Sequence, residues 1–499
     1  MEDRGKTTSS TVPLLESAGS STTCSGTSSA IETIANIVVS IVGTGILGLP
    51  FAFRVAGWLA GSLAVLVAAI STYYCMLLLV KCRDKLALDE EEKESTNNKT
   101  YGDLGYECMG TTGRFMVESL IFISYCGAAV ANLVFIGQNL SSVLKGHYLT
   151  SSSYILLLLP IEIGLSWIRS LSSLAPFSIF ANICNVLAMG IVVKEDIKQV
   201  LQGQISFRER MASTSNLGNL AFVGGVAVFC FEGFGMTLSL EASMRDKTTF
   251  PKVLGQSFSG LALLYVLFGF FGYMAYGDQT KDIITLNLPR NWWALAVQIG
   301  MCLGIIFTFP MMVHPINEII EGRLKKSEWF HEANDNDCYP TTRIGKFGIY
   351  VSRTLLVIGL AMLATCVPAF DVFVSFSGCT VCALLSFVLP AVFHLKLLGS
   401  SLSFREGMLD LFILSCGLLF AGYENFTIRE SAFADVLKCR QKYTKRVDNY
   451  HRQTMSVKLH GKDESEMSAN SNRRQMMTLE DLVVKPSSTS RNVSTKDTH

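Results

Sequence analysis

Charged residues are scarce in this chain. Asp, Glu, Lys and Arg make up only 17% of its 499 residues, whereas soluble domains carry about a quarter. The hydrophobic fraction is 49% and the mean hydropathy is +0.36. This composition indicates a polytopic membrane protein that contacts the lipid bilayer. The net charge of +1 gives no basis for nucleic-acid binding.

Signals of several other protein classes are also missing. Residues 1–29 are polar and lack an apolar h-region, so we expect the first membrane helix to act as its own signal. No Walker phosphate loop is present, and the chain therefore has no ATP motor of its own. The 14 cysteines are scattered and predict no disulfide framework. Cys379 and Cys382 have redox spacing but no second pair, so chance explains them better than chemistry. We expect no enzyme activity, cofactor or metal.

Long apolar runs fill the middle of the chain. Eleven of them approach the roughly 20 residues that a helix needs to cross the hydrocarbon core. Residues 1–32 and 424–499 are polar and are predicted to be mostly disordered, the first of them cytoplasmic. The expected spans lie at about 33–53, 59–80, 115–144, 154–168, 174–193, 217–240, 253–276, 292–313, 344–364, 370–394 and 408–423.

Basic residues in the short loops predict the orientation. Loops on the side of the amino terminus would hold seventeen Lys and Arg, and the opposite loops seven. The positive-inside rule therefore predicts a cytoplasmic amino terminus. Eleven crossings would put the basic carboxyl-terminal tail on the far side. Because the eleventh run is short for a span, a re-entrant segment is an alternative that the sequence leaves open.

Two of the apolar runs are interrupted in their middle. Residues 43–50 read GTGILGLP, and residues 229–235 read FCFEGFG. Such breaks leave backbone groups unpaired, which is tolerable only where protein or water surrounds them. Helices 1–5 and 6–10 each begin with a break, and because five is odd the second set would be inverted relative to the first. The pattern predicts an inverted repeat with a binding site between the two breaks.

The motifs GTGILGLP at 43–50, TYGDLG at 100–105, APFS at 175–178 and FEG at 231–233 resemble the amino acid/auxin permease family of the amino-acid/polyamine/organocation superfamily. The proton-coupled and the plant and fungal vacuolar transporters are its most similar branches. The resemblance covers about residues 33–423. It implies an all-α membrane protein of eleven helices, in a LeuT-like five-plus-five inverted repeat with broken helices 1 and 6, and an amino acid as substrate.

The site can be argued from the chemistry of a free amino acid. Backbone amides freed at Gly43, Thr44 and Gly45 suit the substrate carboxylate, with the positive end of the second half-helix behind them. Carbonyls freed near the second break, and the Thr44 hydroxyl, suit the ammonium group. The alternative for the first break is a glycine-rich kink that allows close helix packing. The candidate binding residues are Gly43, Thr44, Gly45, Ile46, Asn132, Phe229, Phe231 and Gly233.

Glu232 is a carboxylate in the middle of an apolar run, beside the second break. The functional interpretation is a proton-coupling group that titrates during the cycle. The structural interpretation is a carboxylate that neighbouring amides satisfy and that fixes the broken helix. Other polar residues carry weaker signals, and we interpret Glu241 as interfacial and structural. Glu162, His314 and His394 are interpreted as snorkelling or capping groups rather than proton relays.

The sequence thus predicts a secondary active transporter of neutral amino acids, coupled to a proton, in a vacuolar or lysosomal membrane. One alternative is a sodium-coupled or plasma-membrane importer. Another is a transporter-like amino acid sensor that signals through its polar terminal segments. The aromatic residues around Phe229, Phe231 and Phe234 favour small or medium neutral substrates.

Overall fold

The computed structural model describes residues 28–89, 99–144, 150–168, 171–201, 210–289, 291–325, 343–367, 369–399 and 401–423. The tail predicted to be disordered, and most of the amino-terminal segment, lie outside these ranges. Among the described residues the regular structure is helical, apart from one isolated bridge between Ser28 and Met244.

The helices are numbered in chain order. They are α1 (Ala30–Ile41), α2 (Leu49–Ala56), α3 (Trp58–Asp89), α4 (Tyr101–Val143), α5 (Ser151–Ser166), α6 (Leu171–Leu201), α7 (Leu217–Cys230), α8 (Phe234–Ser243), α9 (Phe250–Tyr276), α10 (Trp292–Lys325), α11 (Arg343–Cys366), α12 (Phe370–Ser377), α13 (Leu389–Leu398) and α14 (404–423).

Within the described ranges, seven helical segments are long and apolar enough to cross a membrane, and an eighth is if α1 and α2 form one bent span. Their outer faces carry exposed Leu, Ile, Val and Phe side chains, as lipid-facing helices require. The remaining predicted spans coincide with α5, α6 and α14, which are also helical. The predicted class, an all-α polytopic membrane protein, is therefore confirmed.

The first broken helix has a defined start, break and restart. Ser29 and Glu32 form a capping box, in which each side chain accepts a hydrogen bond from the other's backbone amide, and this begins α1. The chain leaves the helix at Val42 and Gly43, continues as a 3₁₀ turn over Thr44–Gly48, and resumes as α2 with Pro50 in its first turn. The two halves are bent by 54°.

The second break separates α7 from α8 at residues 231–233. Small residues bring α7 against the span that contains α12 and α13: a side chain at Gly225 would lie 2.5 Å from the Ser375 carbonyl oxygen. Between α12 and α13 this span is π-helical over Gly378–Cys382 and Leu384–Val388. Such π segments are rare and frequently mark functional sites.

The third predicted span, α4, differs most from the sequence prediction. It begins at Tyr101 rather than near residue 115, because Thr100 and Asp103 form a second capping box. Gly110 then interrupts it with φ +66°, a backbone conformation that glycine adopts without steric cost. The motif at 100–105 therefore starts a helix rather than a loop.

Candidate functional site between the two helix breaks

The two breaks lie side by side. A Cβ atom at Gly45 would stand 3.0 Å from the ring of Phe229 and 3.1 Å from Cys230 Sγ. A Cβ atom at Gly233 would likewise stand 3.2 Å from the side chain of Ile41. The glycines thus allow the two interrupted backbones to approach each other, which places the freed polar groups of both in one region.

The first break contains an open position and an anchored one. Gly43 is exposed, and a side chain there would meet nothing within 4 Å. Thr44 donates a hydrogen bond of 2.8 Å to the Asn132 side-chain oxygen, and the Asn132 amide nitrogen donates to Met312 Sδ at 2.8 Å. Asn132 therefore connects the 3₁₀ turn to α4 and α10. Gly43 is left as the open position of this break.

Tyr265 on α9 joins the two breaks directly. Its hydroxyl lies 3.4 Å from the Ile41 carbonyl oxygen, at the end of α1, and 3.2 Å from the Cys230 carbonyl oxygen, at the end of α7. Its side chain is 1% exposed. Helix ends leave carbonyls unpaired, and this one hydroxyl faces a carbonyl from each. Tyr265 could not be recognised from the sequence, because a tyrosine in an apolar helix carries no signal of its contact with a distant break.

Glu232 is half-buried at the second break and is held by neutral groups. Ser386, within the π-helical segment, donates a hydrogen bond of 3.3 Å to its carboxylate. The Cys382 thiol and the Phe234 amide also face this carboxylate. Among the ion pairs of the described residues, none includes Glu232. Its partners in the described part of the chain are therefore neutral hydrogen-bond donors.

The contact with Cys382 changes the interpretation of the cysteine pair. In the sequence, chance explains the spacing of Cys379 and Cys382, and no redox role follows from their positions. Cys382 nevertheless lies on the π-helical segment that faces Glu232. The apolar run alone did not predict this position, because the sequence does not show where a helix becomes π-helical.

The predicted site residues occupy two environments. Phe229 is half-buried beside Gly45, and Gly233 is half-buried as well. Ile46 is 2% exposed, and Phe231 is fully buried, stacked on Phe258 with ring centroids 5.6 Å apart. Phe231 also packs against the Tyr265 ring at 5.0 Å. In this conformation Phe231 supports Tyr265, and its contact with a ligand stays a prediction.

The end of the molecule at which α1 begins, here called the Ser28 end, is closed by main-chain and charged contacts. The Ser28 amide donates to the Ser243 carbonyl at 3.1 Å, and the Arg245 amide donates to the Ser28 carbonyl at 3.1 Å. Beside them, Arg83 of α3 and Glu241 of α8 form an ion pair in which both side chains are almost completely buried. Glu241 is therefore the buried partner of Arg83 at this end of the molecule.

The opposite end is covered by the loop of residues 277–289. Arg54 of α2 donates a hydrogen bond of 2.7 Å to the Thr280 carbonyl. Thr285 donates to the Asn139 side-chain oxygen at 2.6 Å and accepts from Gln298 through its carbonyl at 2.6 Å. This loop also contains Asp282, and partial burial raises the pKa of its carboxyl above the usual value. The region between the breaks is thus bounded at both ends.

Three residues interpreted as snorkelling or capping groups are buried instead. Glu162 and His394 are each 1% exposed and His314 is 8% exposed. Their burial contradicts snorkelling for a physical reason: position along a helix sets depth in the bilayer, but the packing of neighbouring helices determines which face is covered. His394 in particular has a charged partner, Asp410.

Two interrupted helices that meet around a carboxylate inside a polytopic helical bundle define a membrane carrier rather than an enzyme. A family model described as "transmembrane amino acid transporter protein" matches residues 26–426. The chain therefore belongs to the transmembrane amino acid transporter family, and it is an amino acid transporter.

Relatives support the assignment over most of the chain. The amino acid transporter ANT1 of Arabidopsis thaliana is 58% identical over 84% of this chain and 96% of its own length. The proton-coupled amino acid transporter-like protein pathetic of Drosophila melanogaster is 28% identical over 73% of this chain and 76% of its own. Vacuolar amino acid transporter 3 of Saccharomyces cerevisiae is 26% identical over 80% of this chain and 56% of its own.

Proposed function

We propose that the chain is a proton-coupled secondary active transporter of neutral amino acids in a vacuolar-type membrane. It works by alternating access, with eleven helices in a five-plus-five inverted repeat. The observation that carries the proposal is Glu232: a half-buried carboxylate at a helix break, facing neutral donors and standing beside a second break with open backbone. The names of the Drosophila and yeast relatives support proton coupling and a vacuolar membrane.

The first break is the proposed site for the substrate carboxylate. Gly43 is open to its surroundings, and its amide has no backbone acceptor among the described residues. The 3₁₀ turn that follows presents its amide end and the positive end of its dipole towards the same place. Thr44, fixed by Asn132, completes this wall of the site.

The substrate ammonium group has fewer free acceptors than the sequence suggested. The carbonyl of Cys230, one of those expected to serve it, faces the Tyr265 hydroxyl. Glu232 is then the strongest acceptor left at the second break, because it is a carboxylate and no cation pairs with it in the described part of the chain. A carboxylate that contacts the ammonium in one protonation state and releases it in the other links proton to substrate.

Alternating access requires that each end open in turn. The Ser28 end is closed by the Arg83–Glu241 pair and the Ser28 hydrogen bonds, and the other end by the loop over α2. These two sets of contacts are the ones we propose to separate during the cycle. Because both closures touch a broken helix, movement of either half-helix is sufficient to open one end.

Transport by purified protein in liposomes tests the proposal. Wild-type protein is expected to accumulate a neutral amino acid by about tenfold per pH unit when one proton is coupled, since one unit supplies about 1.4 kcal/mol. Glu232→Gln keeps the shape but cannot ionise, and is expected to keep exchange while losing accumulation. Glu107→Gln, at an exposed position on α4, is the matched control. Normal accumulation by Glu232→Gln would make Glu232 a structural carboxylate.

The alternatives have separate tests. A sodium-coupled carrier would lose accumulation when sodium is replaced by a larger cation, whereas a proton-coupled one would not. A fluorescent fusion found only at the plasma membrane would contradict the vacuolar assignment. A sensor would bind amino acid in liposomes without net flux.

A further inference from the structure

A buried polar cluster joins α14 to the rest of the transporter. His394 Nδ1 of α13 lies 2.5 Å from Asp410 Oδ2 of α14, and the Tyr74 hydroxyl of α3 donates to the other Asp410 oxygen at 3.2 Å. The side chains of His394 and Asp410 are 2% and 0% exposed. A buried His–Asp pair is costly to desolvate, and a well-packed apolar contact holds helices together at least as well. The need to hold α14 in place therefore does not explain why a buried His–Asp pair is present.

The cluster lies on the same side of the site as the Ser28 end. Tyr74 and Arg83 belong to α3, and Arg83 meets Glu241 at that end. Lys81, between them in sequence, pairs with Glu406 at 3.4 Å on an exposed surface. Asp410 is one helical turn from Glu406, so the buried pair lies roughly 6 Å along the helix from a surface ion pair. Water at the Ser28 end can therefore reach it after a small local movement.

The cluster is also connected to the proposed coupling residue. Ser386, which donates to Glu232, and His394 lie on one continuous helical span, eight residues or roughly 12 Å apart by the rise of an α-helix. The Tyr101 hydroxyl donates to the Leu385 carbonyl at 2.8 Å, and its ring contacts Phe393. Tyr101 thus lies along this span between Ser386 and His394, where the side chains of residues 387–393 are apolar.

The groups that face the cluster are mixed in charge. From α3 they are Tyr74, Cys75, Cys82 and Lys81, and from α14 Glu406. Farther out, Cys108 of α4 lies beside Cys82, with Lys396 of α13 nearby. Asp410 is thus the only carboxylate in contact with His394 among the described residues, and Glu406 is engaged by Lys81. Glu406 still lies close enough to His394 to interact with it electrostatically.

We propose that His394, Asp410 and Tyr74 form a second proton-binding site, which exchanges protons with the compartment at the Ser28 end and receives the proton that leaves Glu232. This inference rests on the proposed proton coupling. The imidazole accepts a proton on the nitrogen that does not face Asp410, becomes imidazolium beside the carboxylate, and then gives the proton to water. Histidine suits this step because its charge changes near neutral pH.

The test uses liposomes that carry full-length protein with its amino-terminal face outward, selected through an amino-terminal tag. Counterflow of a neutral amino acid is measured from about pH 5 to 8 outside, and pH-gradient-driven accumulation is measured separately. Wild-type counterflow is expected to fall as the outer pH falls, because a protonated His394 cannot accept the next proton. His394→Gln cannot accept that proton either, so its counterflow is expected to stay at the low-pH level of the wild type across the whole range, and most accumulation is expected to be lost.

Two further variants separate proton binding from structure. Asp410→Asn keeps a hydrogen bond to the imidazole without the charge, and is expected to shift the profile to lower pH. Lys81→Gln breaks the surface pair at the same helix contact and is expected to keep the wild-type profile. Monodispersity on size exclusion and the melting temperature show whether each variant folds.

A wild-type profile in both His394→Gln and Asp410→Asn would overturn the proposal and leave the cluster a structural contact. Failure of the proposed function gives a different result. If wild-type protein shows a His394-dependent pH profile without gradient-driven accumulation, the second proton site stands and proton coupling is wrong. Absence of any pH dependence in the wild type contradicts both.

Discussion

The glycines of the first break have different surroundings, so substitutions at each are expected to have different effects. Gly43 faces open space and has φ −125°, which any residue can adopt. Gly45 lies against Phe229 and Cys230 at distances of 3.0 to 3.1 Å. A methyl group therefore fits at Gly43, where it would obstruct a ligand, and crowds the neighbouring helix at Gly45.

This difference predicts two distinct defects. Gly43→Ala is expected to raise the KM for substrate by about tenfold while the melting temperature stays the same, since about 1.4 kcal/mol of binding is a factor of ten. Gly45→Ala is expected to lower the melting temperature, with a cost of about 1 to 3 kcal/mol for overpacking. Gly300→Ala, in α10 and with nothing within 4 Å, is the control. An unchanged KM in Gly43→Ala would remove Gly43 from the site.

Tyr265 gives a second prediction at the residue scale. Tyr265→Phe keeps the ring packing on Phe231 and removes only the hydroxyl that faces both helix-end carbonyls. Each lost hydrogen bond costs about 1 kcal/mol, so we expect a lower melting temperature and slower exchange. Tyr73→Phe removes a hydroxyl that donates to Pro251 at the start of the same helix and is the control. Equal effects of the two variants would show that Tyr265 has no special role between the breaks.

Among whole elements, α3 and α8 are held together at the Ser28 end by Arg83 and Glu241. Removing one partner of a buried pair leaves an uncompensated charge, at a cost of about 3 to 5 kcal/mol. Arg83→Ala and Glu241→Ala are each expected to open this end, which raises the rate at which a thiol reagent modifies a cysteine introduced between the breaks. The double variant is expected to be less harmful than either single one, and additive effects would show that the pair does not couple the helices.

The sequence predicted the two helix breaks, because they depend on local backbone chemistry. Glycine and proline at 43–50 and the carboxylate at 232 are visible because both are costly in lipid, and the structure has a break at each place. It could not predict contacts between distant helices. Tyr265, the Arg83–Glu241 pair and the His394–Asp410 pair depend on helix rotation, which apolar runs without clear periodicity do not show. The π-helical segments had no recognisable pattern either.

At the scale of the whole molecule, α14 determines on which side of the membrane the carboxyl-terminal tail begins. Its 20 residues would extend about 30 Å, the thickness of the hydrocarbon core. Its first turns contact α3 and α13 near the Ser28 end through Glu406 and Asp410. Its last turns pack against α7, where the Phe420 ring stands 3.0 Å from a side chain built at Gly224. These contacts at its two ends support a complete crossing over a re-entrant segment.

A complete crossing predicts opposite sides for the two ends of the chain. In sealed vacuolar vesicles, a tag at the amino terminus is expected to be cleaved by added protease, and a tag at the carboxyl terminus to be protected. The sequon at Asn492 lies far from α14 in sequence, so its modification would be removed by a glycosidase only after the membrane is opened. The Asn139 sequon serves as the negative control, because its side chain is completely buried against Thr285. If both tags were cleaved in sealed vesicles, α14 would be re-entrant. The His394–Asp410 pair would then fix a hairpin, and the count of eleven crossings would be wrong.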